Sequence, residues 1–107
     1  MTLLFASVLS AADVTGSWAF HVTLDSGSGE PSFVLEQKGE TLTGMYSGSL
    51  GDVKIQGTVK GDQIEIHFTS QEETVRFAGK VESADKITGT AKYSSLGTGT
   101  FVADRKK

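Results

Sequence analysis

Leu42-Thr-Gly-Met-Tyr46 sets the pattern of this chain: a glycine between small or polar neighbours, with apolar residues two positions away. The pattern returns at Ile55-Gln-Gly-Thr-Val59, Phe77-Ala-Gly-Lys-Val81, Ile87-Thr-Gly-Thr-Ala91 and Gly97-Thr-Gly-Thr-Phe101. Side chains two positions apart share a face in a strand and diverge in a helix. Each copy therefore reads as the middle of a β-strand, with Gly44, Gly57, Gly79, Gly89 or Gly99 on the apolar face.

The same period of two runs outward from these copies. It predicts strands at Gly16–Leu24, Ser32–Lys38, Thr41–Ser47, Val53–Lys60, Gln63–Thr69, Thr74–Val81, Lys86–Tyr93 and Thr98–Asp104. In the first, Trp18, Phe20, Val22 and Leu24 share a face; no segment sustains a helical period. Gly39-Glu40 and Gly61-Asp62 suit two-residue hairpin turns, because glycine reaches the positive φ such turns require. Ser83-Ala84-Asp85 reads as a short loop that sets Glu82 opposite Lys86. These links alternate with longer ones at Asp25–Pro31, Ser49–Asp52, Ser70–Glu73 and Ser94–Gly97, so one end is expected to be tight and the other ringed by Ser/Gly-rich loops.

Eight sequential strands with one apolar face can close into an up-and-down barrel, which removes exposed edges. A two-layer sandwich is the competing arrangement. The glycines favour the barrel, since sharply bent strands need small inward residues opposite large ones. In the last hairpin, Tyr93 opposite Gly97 puts Ala91 against Gly99 and Gly89 against Phe101. The expected fold is one all-β domain, a small eight-stranded antiparallel up-and-down barrel over residues 13–107.

Bulk composition narrows the function. The 107 residues include 13 glycines, one proline and 21% charged residues, a turn-rich globular composition. A formal charge of −3 offers no basic face for nucleic acid or anionic lipid. The absence of cysteine removes disulfides, thiolate chemistry and cysteine–zinc sites. Met1–Ala12 (MTLLFASVLSAA) has an apolar run and small residues at Ser10 and Ala12, as at the end of a secretory signal cut before Asp13. It lacks the usual basic start. The alternative is a short helix or an extra strand packed on the domain. The run is too short to span a bilayer. A secreted or periplasmic protein is the expectation.

Gly16-Ser-Trp18 at the start of the first strand, with Leu42-Thr-Gly-Met-Tyr46 further on, resembles the lipocalin and avidin superfamily of calycins. The chain also looks like short secreted bacterial proteins built from Thr-Gly phrases. The calycin resemblance implies a barrel whose closed end is plugged by Trp18, with a basic side chain from the last strand laid over it. Arg105 is the candidate for that cation–π contact, the alternative being that it frays with the Arg105-Lys106-Lys107 tail. Biotin binding is not implied: Phe20 and Leu24 stand where avidins place polar groups, and only Tyr46 matches. The chain is also much shorter than a typical lipocalin.

Little else suggests chemistry. His21 and His67 fall on outward faces, with His67 paired across its hairpin to Arg76. Glu65 and His67 could begin a zinc site, but a third ligand is missing and Arg76 would repel the ion. Asp25, Glu30, Asp52, Glu72 and Glu73 can gather at the looped end, where solubility explains them; they form no EF-hand loop. Gly27-Ser-Gly29 precedes no helix and is no phosphate cradle. The expectation is a non-enzymatic protein with no cofactor and no metal.

What remains is the interior. Leu24, Phe33, Tyr46, Val53, Phe68, Val75 and Tyr93 are expected near the looped end, as a site for a small, largely apolar molecule with one polar end. Tyr46 and Tyr93 supply the inward hydroxyls. An eight-stranded barrel is just wide enough either to be filled by its own side chains or to hold one small ligand. Inward aromatics favour filling and inward glycines favour space. A solid barrel would instead act as an interaction module through its loops or outer face.

Overall fold

The computed structural model describes residues 13–106. The expected signal at residues 1–12 lies outside that range. Nine strands run in chain order: β1 (Gly16–Leu24), β2 (Gly27–Gly29), β3 (Ser32–Lys38), β4 (Thr41–Gly48), β5 (Gly51–Lys60), β6 (Gln63–Ser70), β7 (Glu73–Ser83), β8 (Lys86–Tyr93) and β9 (Gly97–Arg105). From β3 to β9 each strand pairs antiparallel with the next, and β9 pairs with β1 from Trp18↔Arg105 to Leu24↔Gly99. The result is a closed eight-stranded up-and-down barrel, with β2 a short addition. Closure leaves no long open edge for another chain to extend.

The repeated glycines explain how the wall closes. Gly79 and Gly89 lie directly opposite each other on β7 and β8. A Cβ on Gly89 would intrude on the carbonyl of Ala78, and one on Gly79 on that of Thr88. At the β9–β1 junction, a Cβ on Gly99 would intrude on the Thr23 carbonyl. Only hydrogen fits where the backbones come this close. The room left inside goes to rings: Gly89 pairs with Phe101 and Ala91 with Gly99, in the register read from the sequence.

The links depart from expectation. The long Asp25–Pro31 link is a two-residue turn, Asp25-Ser26, followed by more strand. β2 pairs with β1 from Leu24↔Gly27 to Val22↔Gly29, and β3 continues the same register from Ala19↔Ser32. Pro31 separates β2 from β3 because it has no N–H to give the ladder. Its carbonyl still accepts from the Phe20 amide at 3.0 Å. Ser49-Leu50 and Gln71-Glu72 are also two-residue turns, closed by Gly48↔Gly51 and Ser70↔Glu73. Gln71 and Glu72 adopt φ of 52° and 68°, a conformation Asn and Gly take more readily. Glu82 does not face Lys86: a bulge between Val81 and Ser83 makes Ser83 the partner, and Glu82 accepts from the Thr88 hydroxyl at 2.7 Å.

Aromatic rings fill the middle of the barrel. Phe20 lies 4.2 Å from Phe33 and stacks on Phe101 at 5.1 Å, and Phe77 meets Phe20, Phe33 and Phe101 edge-on. Such pairs add about 0.5–1.5 kcal/mol each beyond the area they bury. One end is sealed by the segment before β1. Val14 is fully buried, its amide donates to Gln37 Oε1 at 3.0 Å, and its carbonyl accepts from the Trp18 indole N–H at 2.9 Å.

Candidate functional site

Sealing at the Trp18 end leaves the opposite end as the way in. There the barrel holds a cavity of about 300 Å³. Val22 and Leu24 from the end of β1, Pro31, and Leu96 from the β8–β9 turn supply apolar wall. Tyr46 on β4 and Tyr93 on β8 supply phenols, and Ser26, Ser28, Glu30 and Ser49 form a polar rim. An apolar cavity with a few placed polar groups is the usual form of a small-molecule site.

The two phenols differ. Tyr46 is buried against Phe33 and Phe68, at ring distances of 5.4 and 4.6 Å, and its hydroxyl accepts from the Leu50 amide at 3.4 Å. Its ring end lies over Gly48, where a Cβ would strike the hydroxyl. The Tyr93 hydroxyl makes no hydrogen bond to a described residue. Burial pushes the Tyr93 phenol well above its ordinary value, and neighbouring Tyr46 adds to the shift. A tyrosine phenol is protonated at neutral pH, so Tyr93 has a donor to offer. The turn beside it is pinned by Glu73, which accepts from the Ser95 hydroxyl, from the Ser95 amide at 3.1 Å and from the Ser94 hydroxyl at 3.3 Å. Those Ser95 bonds hold the Glu73 carboxyl below the usual carboxylate range.

Leu24, Tyr46 and Tyr93 line this cavity, whereas the other expected residues do not. Phe33, Phe68 and Val75 are buried in the core, and Val53 packs partly buried against it. Their placement has a steric cause. Phe33 and Phe68 both reach Tyr46 and close the barrel beneath the cavity. Much of the remaining wall comes from Ser26 to Pro31, which alternation alone placed in a loop, with Val22, Gly48, Ser49 and Leu96 completing it. The signal for it was present: continuing the β1 alternation through a two-residue turn brings Gly27–Gly29 back beside Val22 and Leu24.

At the sealed end, Arg105 covers Trp18 with its Cζ 4.6 Å from the ring centroid. Its Nη1 donates to the Thr15 carbonyl at 2.6 Å, Nη2 to that of Asp13 at 3.1 Å, and Nε to that of Ala84 at 2.9 Å. Gly16 has φ of 141°, and a Cβ there would meet Nη1 at 2.6 Å. The Gly-x-Trp spacing thus serves one contact: Trp18 carries the guanidinium and Gly16 leaves space for it. On the outer wall, Glu65 pairs with Arg76 at 3.4 Å, and no group of three metal-ligating side chains occurs among the described residues. His21 sits between Glu30 and Asp104, at 3.5 and 3.6 Å.

The fold and its open end define a class, a closed antiparallel barrel with a cavity in its mouth. No family model matches the chain, and no curated protein matches it in sequence. Solved structures do match in shape. A redesigned β-barrel superposes with a TM-score of 0.72 at 16% identity, covering 88% of this chain and 92% of that one. The redesigned β-barrel mFAP1, bound to DFHBI, matches with a TM-score of 0.67 at 16% identity over 87% of this chain and 94% of that one. A de novo fluorescence-activating β-barrel matches with a TM-score of 0.62 at 18% identity over 86% and 93%. At these identities the likeness speaks to the fold.

Proposed function

We propose that the chain is a non-enzymatic, exported, calycin-like protein that holds a small, largely apolar molecule in the mouth of its barrel. The observation that carries this reading is the 300 Å³ cavity with the Tyr93 hydroxyl, which bonds to no described residue, at its wall. The volume suits a compact ligand at the lower end of the usual range. Tyr93 donates to the ligand's one polar acceptor, and Val22, Leu24, Pro31 and Leu96 cover its apolar body. Barrels of similar shape have been solved with DFHBI bound, which supports the fold's capacity for such a role. Gly16-Ser-Trp18 under Arg105 supports the calycin kinship, and the small-residue ending of Met1–Ala12 supports export to a secreted or periplasmic location.

Native mass spectrometry of the gently purified full chain tests the reading. The expected result is an excess mass that disappears on denaturation and is diminished in Tyr93→Phe. A clean mass for the chain alone, at every protein concentration, would move the weight to a second reading. That reading is a solid barrel that docks a protein partner through its loops, favoured by the rings that fill its middle. Exchange of the Asp25–Pro31 segment would then abolish partner binding, and unchanged binding would count against it.

A further inference from the structure

The barrel wall has a second opening. β5 and β6 pair from Lys60↔Gln63 up to Gln56↔His67, and the ladder then stops although both strands continue. The next outward positions in that register are Lys54 and Thr69. In an antiparallel pair, a residue's N–H and C=O point to one neighbour and the following residue's to the other. Counted from the turns at Ser49-Leu50 and Gln71-Glu72, Lys54 and Thr69 direct their main-chain groups away from β4 and β7, into the gap. Above it, Ser70 and Gln71 side chains donate to the Leu50 carbonyl at 2.8 and 3.2 Å, so the gap is a window closed at both ends.

A cavity of about 400 Å³ occupies this window and shares no residue with the mouth. Thr43, Lys54, Gln56, His67 and Thr69 line it, with Phe68 as apolar wall, and no lining residue is acidic. That is notable in a chain with net charge −3. Lys54 makes no ion pair with a described residue. Glu65, two positions from His67 on the same face, is engaged by Arg76 at 3.4 Å. His67 Nδ1 is buried and has no hydrogen-bond partner among the described residues.

We propose that this β5–β6 window binds a small organic carboxylate, with the Lys54 ammonium as its charge partner, the His67 ring as a hydrogen-bonding partner and the main-chain amides of Lys54 and Thr69 as further donors. One uncommitted cation matches one negative charge, which favours a carboxylate over a phosphate dianion. Phe68 gives the apolar part of the molecule a surface to cover.

The test is an NMR titration of the full chain with benzoate, following the amides of Lys54 and Thr69 and the His67 ring, at constant chloride and with inorganic phosphate as comparator. Saturable shifts at those three positions are expected, with the Tyr93 and Leu96 signals unmoved. Lys54→Met, which keeps the stem and removes the charge, should weaken binding by about tenfold, the usual worth of one charged hydrogen bond. Lys54→Gln serves if the first variant misfolds, and unmoved amides at the Trp18 end show that the fold is kept. Absent saturation, or an affinity unchanged by the loss of Lys54, would overturn the proposal. Phosphate binding as tight as benzoate would overturn the carboxylate assignment, and shifts confined to Tyr93 and Leu96 would place the ligand in the mouth instead.

Discussion

Arg105 and Trp18 are cross-strand partners on β9 and β1, and the guanidinium of one lies 4.6 Å from the ring centroid of the other. The contact sits where the barrel is sealed, and the same guanidinium reaches three carbonyls from two different segments. Arg105→Ala should therefore cost about 2–3 kcal/mol, combining a partly desolvated cation–π contact with hydrogen bonds from a charged donor. Arg105→Lys keeps the charge but not the fork and should fall between the two. Urea unfolding followed by Trp18 fluorescence measures both. Equal midpoints for Arg105→Ala and the parent would show that the clamp does not hold the end closed.

Tyr93 should make stability fall at alkaline pH. Its folded pKa is raised above the ordinary value of 10.0 by burial first and Tyr46 second. Above that ordinary value the unfolded chain loses the proton while the folded chain keeps it, so the unfolded state gains and stability drops as pH rises. Below it, both states hold the proton and the contribution is fully present. Chemical unfolding from about pH 8 to about pH 11 should show a steeper alkaline loss in the parent than in Tyr93→Phe. Parallel curves would mean that the phenol is solvated.

Gly89 and Gly29 should respond oppositely to alanine. At Gly89 a Cβ has the Ala78 carbonyl and Gly79 in its way, and neither backbone can move without opening the β7–β8 pairing. Gly89→Ala should cost about 2–4 kcal/mol or prevent folding, as overpacking against backbone does. At Gly29 nothing lies within 4 Å, and Gly29→Ala should change stability by less than about 0.5 kcal/mol. Thermal melts of the two variants side by side decide this; similar losses at both would show that flexibility, and not close approach, selects glycine at these positions.

Much of this was legible in the residues. Alternation assigned Trp18, Phe20, Val22 and Leu24 to one face, and the Gly89 and Phe101 pairing followed from placing Tyr93 opposite Gly97. The site was less so. Alternation says that Phe33, Tyr46 and Phe68 all point inward, but not how far each ring reaches once all three share one space. Their contacts turned Phe33 and Phe68 into floor and left Tyr46 as wall.

The sequence by itself determined the all-β class, the number of barrel strands, their inward faces and the sites where backbones must touch. These follow from local rules: a period of two, and the absence of a Cβ. The tertiary structure alone decided that Gln56 and His67 end the β5–β6 ladder, and that the mouth stays open while the middle is full. Those outcomes depend on closing one sheet upon itself, where the reach of each side chain is set by neighbours remote in sequence.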